Sequence, residues 1–140
     1  MHKAVISLGS NKGDRIALMQ AAFMALKTLG SIEQYSSIQE TEPWGFQADV
    51  AFLNQIVVLQ TNLAPLDLLD QLQYIEKSLG KDTHSPTHGY ASRTMDLDIL
   101  YFDDLQLNSE RLMLPHPHIQ DREFIILLLQ ELGIQTVTLQ

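Results

Sequence analysis

Two aspartates, Asp96 and Asp98, lie two positions apart in a short apolar segment, 95–102, that is typical of a β-strand. Side chains alternate between the faces of a strand, so we expect both carboxylates on one face with their Cα atoms roughly 6.6 Å apart. Mg²⁺ binds to such oxygens, since it takes few carboxylates together with water and substrate phosphates. Leu100 and Phe102 are expected on the same face, which argues against a solvated edge strand. The pair therefore predicts a magnesium site.

Basic side chains and imidazoles accompany this pair. Arg93 precedes Asp96 by three residues, and His116 lies in a Pro-His-Pro-His segment that Arg122 follows. Each arginine alone is typical of a surface charge, but arginines beside paired carboxylates can neutralise phosphate groups, as phosphoryl transfer requires. A zinc site is disfavoured, because the i, i+2 spacing of His116 and His118 differs from the common i, i+4 helical pair. We interpret His116 as a phosphate ligand, with a partly buried structural histidine as the alternative.

The composition limits the classes of function. A chain of 140 residues predicts a single domain, 1–140, and its net charge of −8 opposes a broad grip on nucleic acid. The absence of cysteine excludes a disulfide framework, an iron–sulfur cluster and a thiol nucleophile. The longest apolar run, 124–129, is far shorter than the roughly 20 residues of a membrane span. We expect a cytoplasmic monomer that acts on small molecules and has no membrane or nucleic-acid partner.

Apolar periodicity divides the chain into elements with short connections. Strand patterns occupy residues 3–8, 32–41, 51–61 and 95–102. Helical stripes extend from Asp14 as N-cap to Leu29, from Pro65 to Leu79 and from Asp121 as N-cap to Leu132. Residues 81–92 have no periodic pattern and predict a long loop, which is often functional. The order β, α, β, β, α, loop, β, short hairpin, α favours an α+β, ferredoxin-like split βαβ sandwich: a mostly antiparallel sheet with helices packed on it and long active-site loops.

Several short motifs occur together in one order and spacing. They are Gly9-Ser10-Asn11, residues 41–45, Phe52-Leu53-Asn54, residues 93–100, Pro115-His116 and Arg122-Glu123-Phe124. The chain thereby resembles the 6-hydroxymethyl-7,8-dihydropterin pyrophosphokinase family of folate biosynthesis over nearly its whole length. The element R-x-x-D-x-D-I-L, followed downstream by P-H and R-x-F, is the specific part of this resemblance. It implies transfer of the β,γ-pyrophosphoryl group of ATP to the pterin hydroxymethyl oxygen, with AMP as the leaving group.

The resemblance also implies roles for individual residues. Asp96 and Asp98 would hold two Mg²⁺ ions. The catalytic set would comprise Arg93, Asp96, Asp98, His116 and Lys81. The residues on the ATP side would be Gln73, Glu76, His84, Ile99, Arg111, His116 and Arg122. The residues on the pterin side would be Thr41, Glu42, Trp44, Phe52, Asn54, Tyr90, Asp96 and Phe124.

The chain departs from the usual family pattern in the loop after Gly80. Family members usually carry two arginines there, whereas this chain has Lys81 and no clear second match. We expect His84 to substitute in part, because an imidazole with a pKa of about 6.5 gains charge when a triphosphate approaches. Tyr90 stands where a Trp is usual, and Trp44, where a Leu is common, would add a ring face over the pterin.

Two other functions remain open at this stage. A non-catalytic module would bind pterin and nucleotide without releasing AMP, and the weakened basic loop favours this alternative. A hydrolase acting on sugars would use Asp96 and Asp98 as acid and base, but adjacent acids on one strand do not flank a scissile bond well. Such a hydrolase would also leave Arg93, His116 and Arg122 without a role.

Overall fold

The computed structural model describes residues 1–11, 13–41, 51–80 and 95–135. Glu42, Trp44, Lys81, His84, Tyr90 and Arg93 lie outside these ranges. The elements within them are β1 His2–Ser10, α1 Arg15–Leu26, β2 Ser31–Tyr35, β3 Gln39–Thr41, β4 Phe52–Thr61, α2 Pro65–Ser78, β5 Asp96–Phe102, β6 Leu107–Asn108, β7 Met113–Leu114 and α3 Glu123–Glu131.

The main sheet has the strand order β2-β4-β1-β5, and every adjacent pair of strands is antiparallel. β3 pairs with β4 as well, so β2 and β3 follow the same edge of β4 one after the other. β6 and β7 form a separate hairpin. Helices α1 and α2 each connect two strands that have a third strand between them in the sheet, which confirms the predicted split βαβ architecture.

A hydrophobic core lies on each face of the sheet. Ala4, Ile6 and Leu8 of β1 pack beneath α1 and α2, together with Met19 and Leu72 of those helices. On the opposite face, a second core contains Val5, Ile56, Val58, Leu100, Ile125 and Leu128, the last two from α3. Because β1 is central, it is buried on both faces from Ala4 to Ser10.

The predicted strand 32–41 is interrupted, and the cause is the side chain of Ser36. Its Oγ accepts a hydrogen bond from the Ile56 N–H at 2.9 Å, while the Ser36 N–H donates to the Ile56 carbonyl at 2.8 Å. A hydroxyl thus takes a place in the ladder that a backbone carbonyl would otherwise hold. The single strand expected from the sequence is therefore two strands, β2 and β3.

The helix ends show which capping signals the chain uses. Asp14 caps α1 as predicted, because its Oδ1 accepts a hydrogen bond from the Ala17 N–H at 3.1 Å. The prediction that Asp121 caps α3 is wrong, since Arg122 occupies the N-cap position and the Asp121 carboxylate lies 3.2 Å from Nδ1 of His118. Within the described ranges, no helix has the length and apolarity needed to cross a membrane.

Candidate active site

Strand β5 places Asp96 and Asp98 on the sheet face that α3 covers in part. Leu97 and Ile99 are buried in the core beneath α1 and α2, with exposed fractions of 3% and 2%. Asp96 and Asp98, which alternate with them along the strand, are partly exposed. The shared face of the two aspartates agrees with the alternation of a strand. This geometry leaves both carboxylates accessible to a ligand.

A β-bulge in β5 changes what lies further along that face. Val5 pairs with Tyr101 and Ile6 pairs with Ile99, so Leu100 is the extra residue. Leu100 packs in the core on the α3 side, the same side as the aspartates. The expectation that Phe102 shares this face is wrong, because the bulge reverses the alternation and places its side chain in the opposite core.

A glycine separates the aspartates from the polar groups of β4. Gly9 of β1 pairs with Asp96 on one side and with Asn54 on the other, so the three residues form one row across the sheet. With strands about 4.8 Å apart, the outer two Cα atoms of this row are roughly 10 Å from each other. A Cβ atom at Gly9 would lie 3.4 Å from Oδ1 of Asn54 and 4.0 Å from Cδ1 of Phe52. The missing side chain therefore leaves a space that a Cβ atom would fill in ordinary contact, the Gly9 gap, between Asp96 and the Phe52–Asn54 pair.

Hydrogen bonds fix the orientation of the Asn54 amide, which is buried at 4% exposure. Its Nδ2 donates to Oγ1 of Thr41 at 2.8 Å and, more weakly, to the Gln39 carbonyl at 3.4 Å. Both of these partners are on β3, so the amide nitrogen faces that strand. The amide oxygen consequently faces the gap at Gly9, where it can accept a hydrogen bond from a ligand.

The imidazole of His116 borders the aspartates from the loop before α3. Its backbone N–H donates to the Leu100 carbonyl at 2.9 Å, and its Nδ1 accepts the His118 N–H at 3.1 Å. Burial lowers the pKa of His116 below its usual value, and the charges of Arg122 and His118 lower it further while that of Asp98 opposes them. A neutral ring with Nδ1 occupied as an acceptor carries its proton on Nε2. His116 therefore offers an N–H donor close to Asp98 and Arg122.

Arg111 and Gln73, two residues expected on the ATP side, lie together at the surface. Nη2 of Arg111 donates to Oδ1 of Asp70 at 2.6 Å and to Oε1 of Gln73 at 3.4 Å. Asp70 is not among the site residues expected from the sequence. The sequence feature that could have identified Asp70 is its i, i+3 spacing from Gln73, which places both side chains on the same face of α2.

Glu76 and Ile99, also expected on the ATP side, have buried side chains. Oε2 of Glu76 accepts a hydrogen bond from the Leu97 N–H at 2.8 Å, and the residue is 7% exposed. The Ile99 side chain is 2% exposed in the core beneath α1 and α2. Of the described residues expected there, Gln73 and Arg111 are therefore the exposed pair.

The remaining described candidates lie around the gap or next to it. Phe52 and Thr41 are half-buried partners across the β3–β4 pair. Phe124, the second residue of α3, is half-buried and packs against the core on the α3 side. Arg122, directly before α3, is half-buried as well. The structure thus places Phe52, Asn54, the two aspartates, His116 and Phe124 on one side of the sheet.

The acidic pair suits a hard cation that has further ligands from a substrate. Within the described residues, no group of three or more His, Cys, Asp or Glu side chains could hold a metal ion. Two carboxylates on one strand leave most of the coordination sphere of Mg²⁺ to water and phosphate oxygens, which is how this ion is commonly bound beside nucleotides. The donor set therefore fits Mg²⁺ bound together with a triphosphate.

Solved structures share this fold. A crystal structure described as HPPK-DHPS in complex with substrates aligns with a TM-score of 0.72 at 16% identity, over 93% of this chain and 40% of that one. Wild-type HPPK-DHPS of Plasmodium falciparum aligns with a TM-score of 0.69 at 18% identity, over 94% of this chain and 40% of that one. The chain thus spans about two fifths of these longer proteins, with which it shares the fold.

Sequence relatives give a closer correspondence. A 2-amino-4-hydroxy-6-hydroxymethyldihydropteridine pyrophosphokinase of Porphyromonas gingivalis is 42% identical over 122 residues, which is 86% of this chain and 83% of the relative. The protein of the same name from Bacillus subtilis is 37% identical over 131 residues, or 92% of this chain and 77% of the relative. The family model for 7,8-dihydro-6-hydroxymethylpterin-pyrophosphokinase (HPPK) matches residues 5–133. The chain therefore belongs to the HPPK family and is a pyrophosphokinase of folate biosynthesis.

Proposed function

We propose that the protein transfers the β,γ-pyrophosphoryl group of ATP to 6-hydroxymethyl-7,8-dihydropterin. The hydroxymethyl oxygen attacks the β-phosphorus, the bond from that phosphorus to the α,β-bridging oxygen breaks, and AMP leaves with the bridging oxygen. The hydroxymethyl proton is released. One observation carries the proposal: the gap at Gly9 lies between an amide acceptor at Asn54 and the carboxylate of Asp96, all in one row of the sheet.

Asp96 and Asp98 would hold the magnesium, for which two ions are proposed. Bound there, Mg²⁺ would supply positive charge toward the triphosphate. The contribution of the chain is to hold both carboxylates on one face of β5, beside the Gly9 gap. This arrangement supports a site at which the pterin hydroxymethyl group and the triphosphate meet.

The basic groups would bind the phosphates and position the leaving group. His116 would donate from Nε2, and Arg122 would add positive charge near Asp98. Arg93 would contribute a guanidinium to the developing charge, as phosphoryl transfer requires. Lys81 or His84 would take the place of the second loop arginine. Arg111, with Gln73, would lie toward the nucleoside, and Glu76 and Ile99 would support that side from the core.

The pterin would occupy the gap at Gly9. Its ring N–H groups suit the Asn54 oxygen, whose orientation Thr41 fixes. Phe52 borders this gap, and Phe124 is proposed as a second ring partner because it lies on the same side of the sheet. Glu42, Trp44 and Tyr90 are proposed to complete the pterin side. We also propose that the protein is a single domain, monomeric and cytoplasmic.

A product assay tests the proposal directly. Purified protein is mixed with ATP, Mg²⁺ and 6-hydroxymethyl-7,8-dihydropterin, and AMP and ADP are separated by chromatography. We expect AMP only when pterin and Mg²⁺ are both present. ADP as the product would contradict pyrophosphoryl transfer. Tight binding of both ligands without release of AMP would indicate a non-catalytic binding module. The sequence relatives are named as pyrophosphokinases, which argues against this alternative.

A further inference from the structure

Arg15, the first residue of α1, joins that helix to β3 and to the residue that precedes β4. Its Nη1 donates to Oε2 of Glu40 on β3 at 3.0 Å and to the carbonyl of Ala51, directly before β4, at 2.7 Å. The arginine side chain is 26% exposed and that of Glu40 is 58% exposed, so the ion pair is open to water on the Glu40 side. One cation thus links the helix to the end of the hairpin at which β3 and β4 are connected.

Among the described residues, β3 is held by its pairing with β4 and by the Asn54 amide, and the segment before it is anchored at Ser36. The strand has three residues, and it pairs with β4 through Gln39–Asn54, Glu40–Leu53 and Thr41–Phe52. So short an edge strand is weakly held by backbone pairing alone. The bond between Arg15 and Glu40 acts at the middle residue of this strand. Arg15 therefore contributes to the distance between β3 and the amide of Asn54.

The distance between β3 and the Asn54 amide determines which atom of that amide faces the Gly9 gap. Oγ1 of Thr41 accepts a hydrogen bond from Nδ2 of Asn54 at 2.8 Å, and this bond turns Oδ1 toward Gly9. If β3 moved away, the amide could rotate and present its nitrogen to the ligand. A ligand N–H would then face a donor rather than an acceptor.

We propose that Arg15 is a positioning residue for pterin binding. It holds β3 and β4 together at their connected end, so that Thr41 keeps the amide oxygen of Asn54 facing the ligand. This inference rests on the proposed function, because that proposal assigns Asn54 to the pterin. It adds a residue that touches neither substrate, and it acts on the pterin side without acting on the ATP side.

The test separates pterin affinity from nucleotide affinity. For Arg15→Ala we expect the KM for the pterin, measured at saturating ATP and Mg²⁺, to rise about tenfold, which is the usual effect of one lost hydrogen bond. The Kd for ATP with Mg²⁺, measured by calorimetry, stays within about twofold because Asp96 and His116 are untouched. Arg15→Lys keeps the charge but not the planar guanidinium, and it gives an intermediate KM.

Two further variants sharpen the result. Thr41→Val removes the acceptor for Asn54 and gives the same rise in pterin KM, and the double variant with Arg15→Ala is no worse than the stronger single variant because both act through one amide. Lys3→Ala is the control. It removes another ion pair of the same sheet, that with Glu33 at 3.6 Å, and leaves both constants unchanged.

Three outcomes would overturn the inference. The first is an unchanged pterin KM in Arg15→Ala, the second is a parallel rise in pterin KM and ATP Kd, and the third is additivity with Thr41→Val. If Arg15→Ala fails to fold, the ratio of the two constants in Arg15→Lys decides. Absence of AMP with the wild-type protein would instead contradict the proposed function, so the two failures are distinguishable.

Discussion

The backbone N–H of Leu97 donates a hydrogen bond to Oε2 of Glu76 at 2.8 Å, which attaches a buried carboxylate of α2 to the strand between Asp96 and Asp98. Among the described residues, β5 is the last strand in the order of the main sheet. Glu76 supplies an acceptor at that edge, where no further strand of this sheet pairs with β5 among the described residues. This bond holds the position of the residue that separates the two aspartates.

Replacement of Glu76 tests whether this acceptor supports the site. Glu76→Ala leaves a buried N–H without its acceptor, so we expect a loss of about 1–3 kcal/mol in the free energy of unfolding and weaker Mg²⁺-dependent ATP binding. Glu76→Gln keeps an acceptor oxygen and recovers most of both. Urea unfolding and calorimetry give the two values, with the exposed Glu110→Ala as control. Equal losses in the Gln and Ala variants would show that the charge of Glu76 matters rather than its hydrogen bond.

Asp96→Asn tests the metal assignment. The amide is a far weaker ligand for Mg²⁺ than the carboxylate, so we expect Mg²⁺-dependent ATP binding to fall below detection while the circular dichroism spectrum and Tm are kept. Asp104→Asn, an exposed position after the same strand, is the matched control and retains binding. Unchanged calorimetric binding by Asp96→Asn would remove this residue from the metal site.

Gly9→Ala tests the gap. The added methyl group would meet Oδ1 of Asn54 at 3.4 Å and Cδ1 of Phe52 at 4.0 Å, which are ordinary contacts, so the fold tolerates it. The methyl group occupies the floor of the proposed pterin site, and we expect the pterin KM to rise on the order of tenfold or more while the ATP Kd is unchanged. A pterin KM equal to that of the wild type would place the pterin elsewhere.

The arginine before β5 carries the next prediction. Loss of one group that stabilises transition-state charge typically lowers the rate on the order of 10²-fold. We therefore expect Arg93→Ala to lower kcat on the order of 10²-fold. Steady-state kinetics at saturating substrates measure it. A reduction of only several-fold would exclude Arg93 from catalysis.

In the same assay, His84→Gln should alter the pH–rate profile between about pH 6 and 8 if His84 replaces the missing arginine.

Asp103 gives a prediction for stability and pH. Its Oδ1 accepts the Lys3 N–H at 2.8 Å, and this bond, followed by that to His2, holds the pKa of Asp103 below its usual value despite partial desolvation. A lowered pKa in the folded state stabilises the fold above the unfolded pKa of about 3.9, and this contribution is lost as the pH falls through the folded pKa.

Asp103→Asn measures this contribution, because asparagine tolerates the positive φ of 50° at this position and keeps an acceptor oxygen. We expect the wild type to exceed the variant in free energy of unfolding at pH 7 by no more than about 1 kcal/mol, since solvent screens the site. The difference should shrink between about pH 5 and pH 3. A difference independent of pH would assign it to the backbone instead of the charge.

The sequence predicts local features of the site well. The alternation in β5 places Asp96 and Asp98 on one face, and the order of elements leads to the observed sheet. The bulge at Leu100 could not be predicted, because it arises from the register between β5 and β1. Likewise, the break at Ser36 depends on a hydroxyl that bonds a neighbouring strand.

Tertiary hydrogen bonds of single side chains are also beyond the sequence pattern. Glu76 lies 21 residues from Leu97, and Arg15 lies 25 residues from Glu40. No periodicity relates such positions, since their contact depends on how helices dock on the sheet. The family resemblance places Glu76 on the ATP side, but only the structure shows its carboxylate in contact with β5.

The fixed amide of Asn54 has a consequence for inhibitor chemistry. The Asn54 nitrogen donates its hydrogen bonds to Thr41 and Gln39, so the amide oxygen faces the Gly9 gap. The amide cannot rotate to suit a different heterocycle without breaking these bonds. Ring systems that direct an N–H toward Asn54 would be preferred. Isosteres with a bare ring nitrogen there would set two lone pairs against each other, and that mismatch could be used to steer selectivity among fused bicyclic scaffolds.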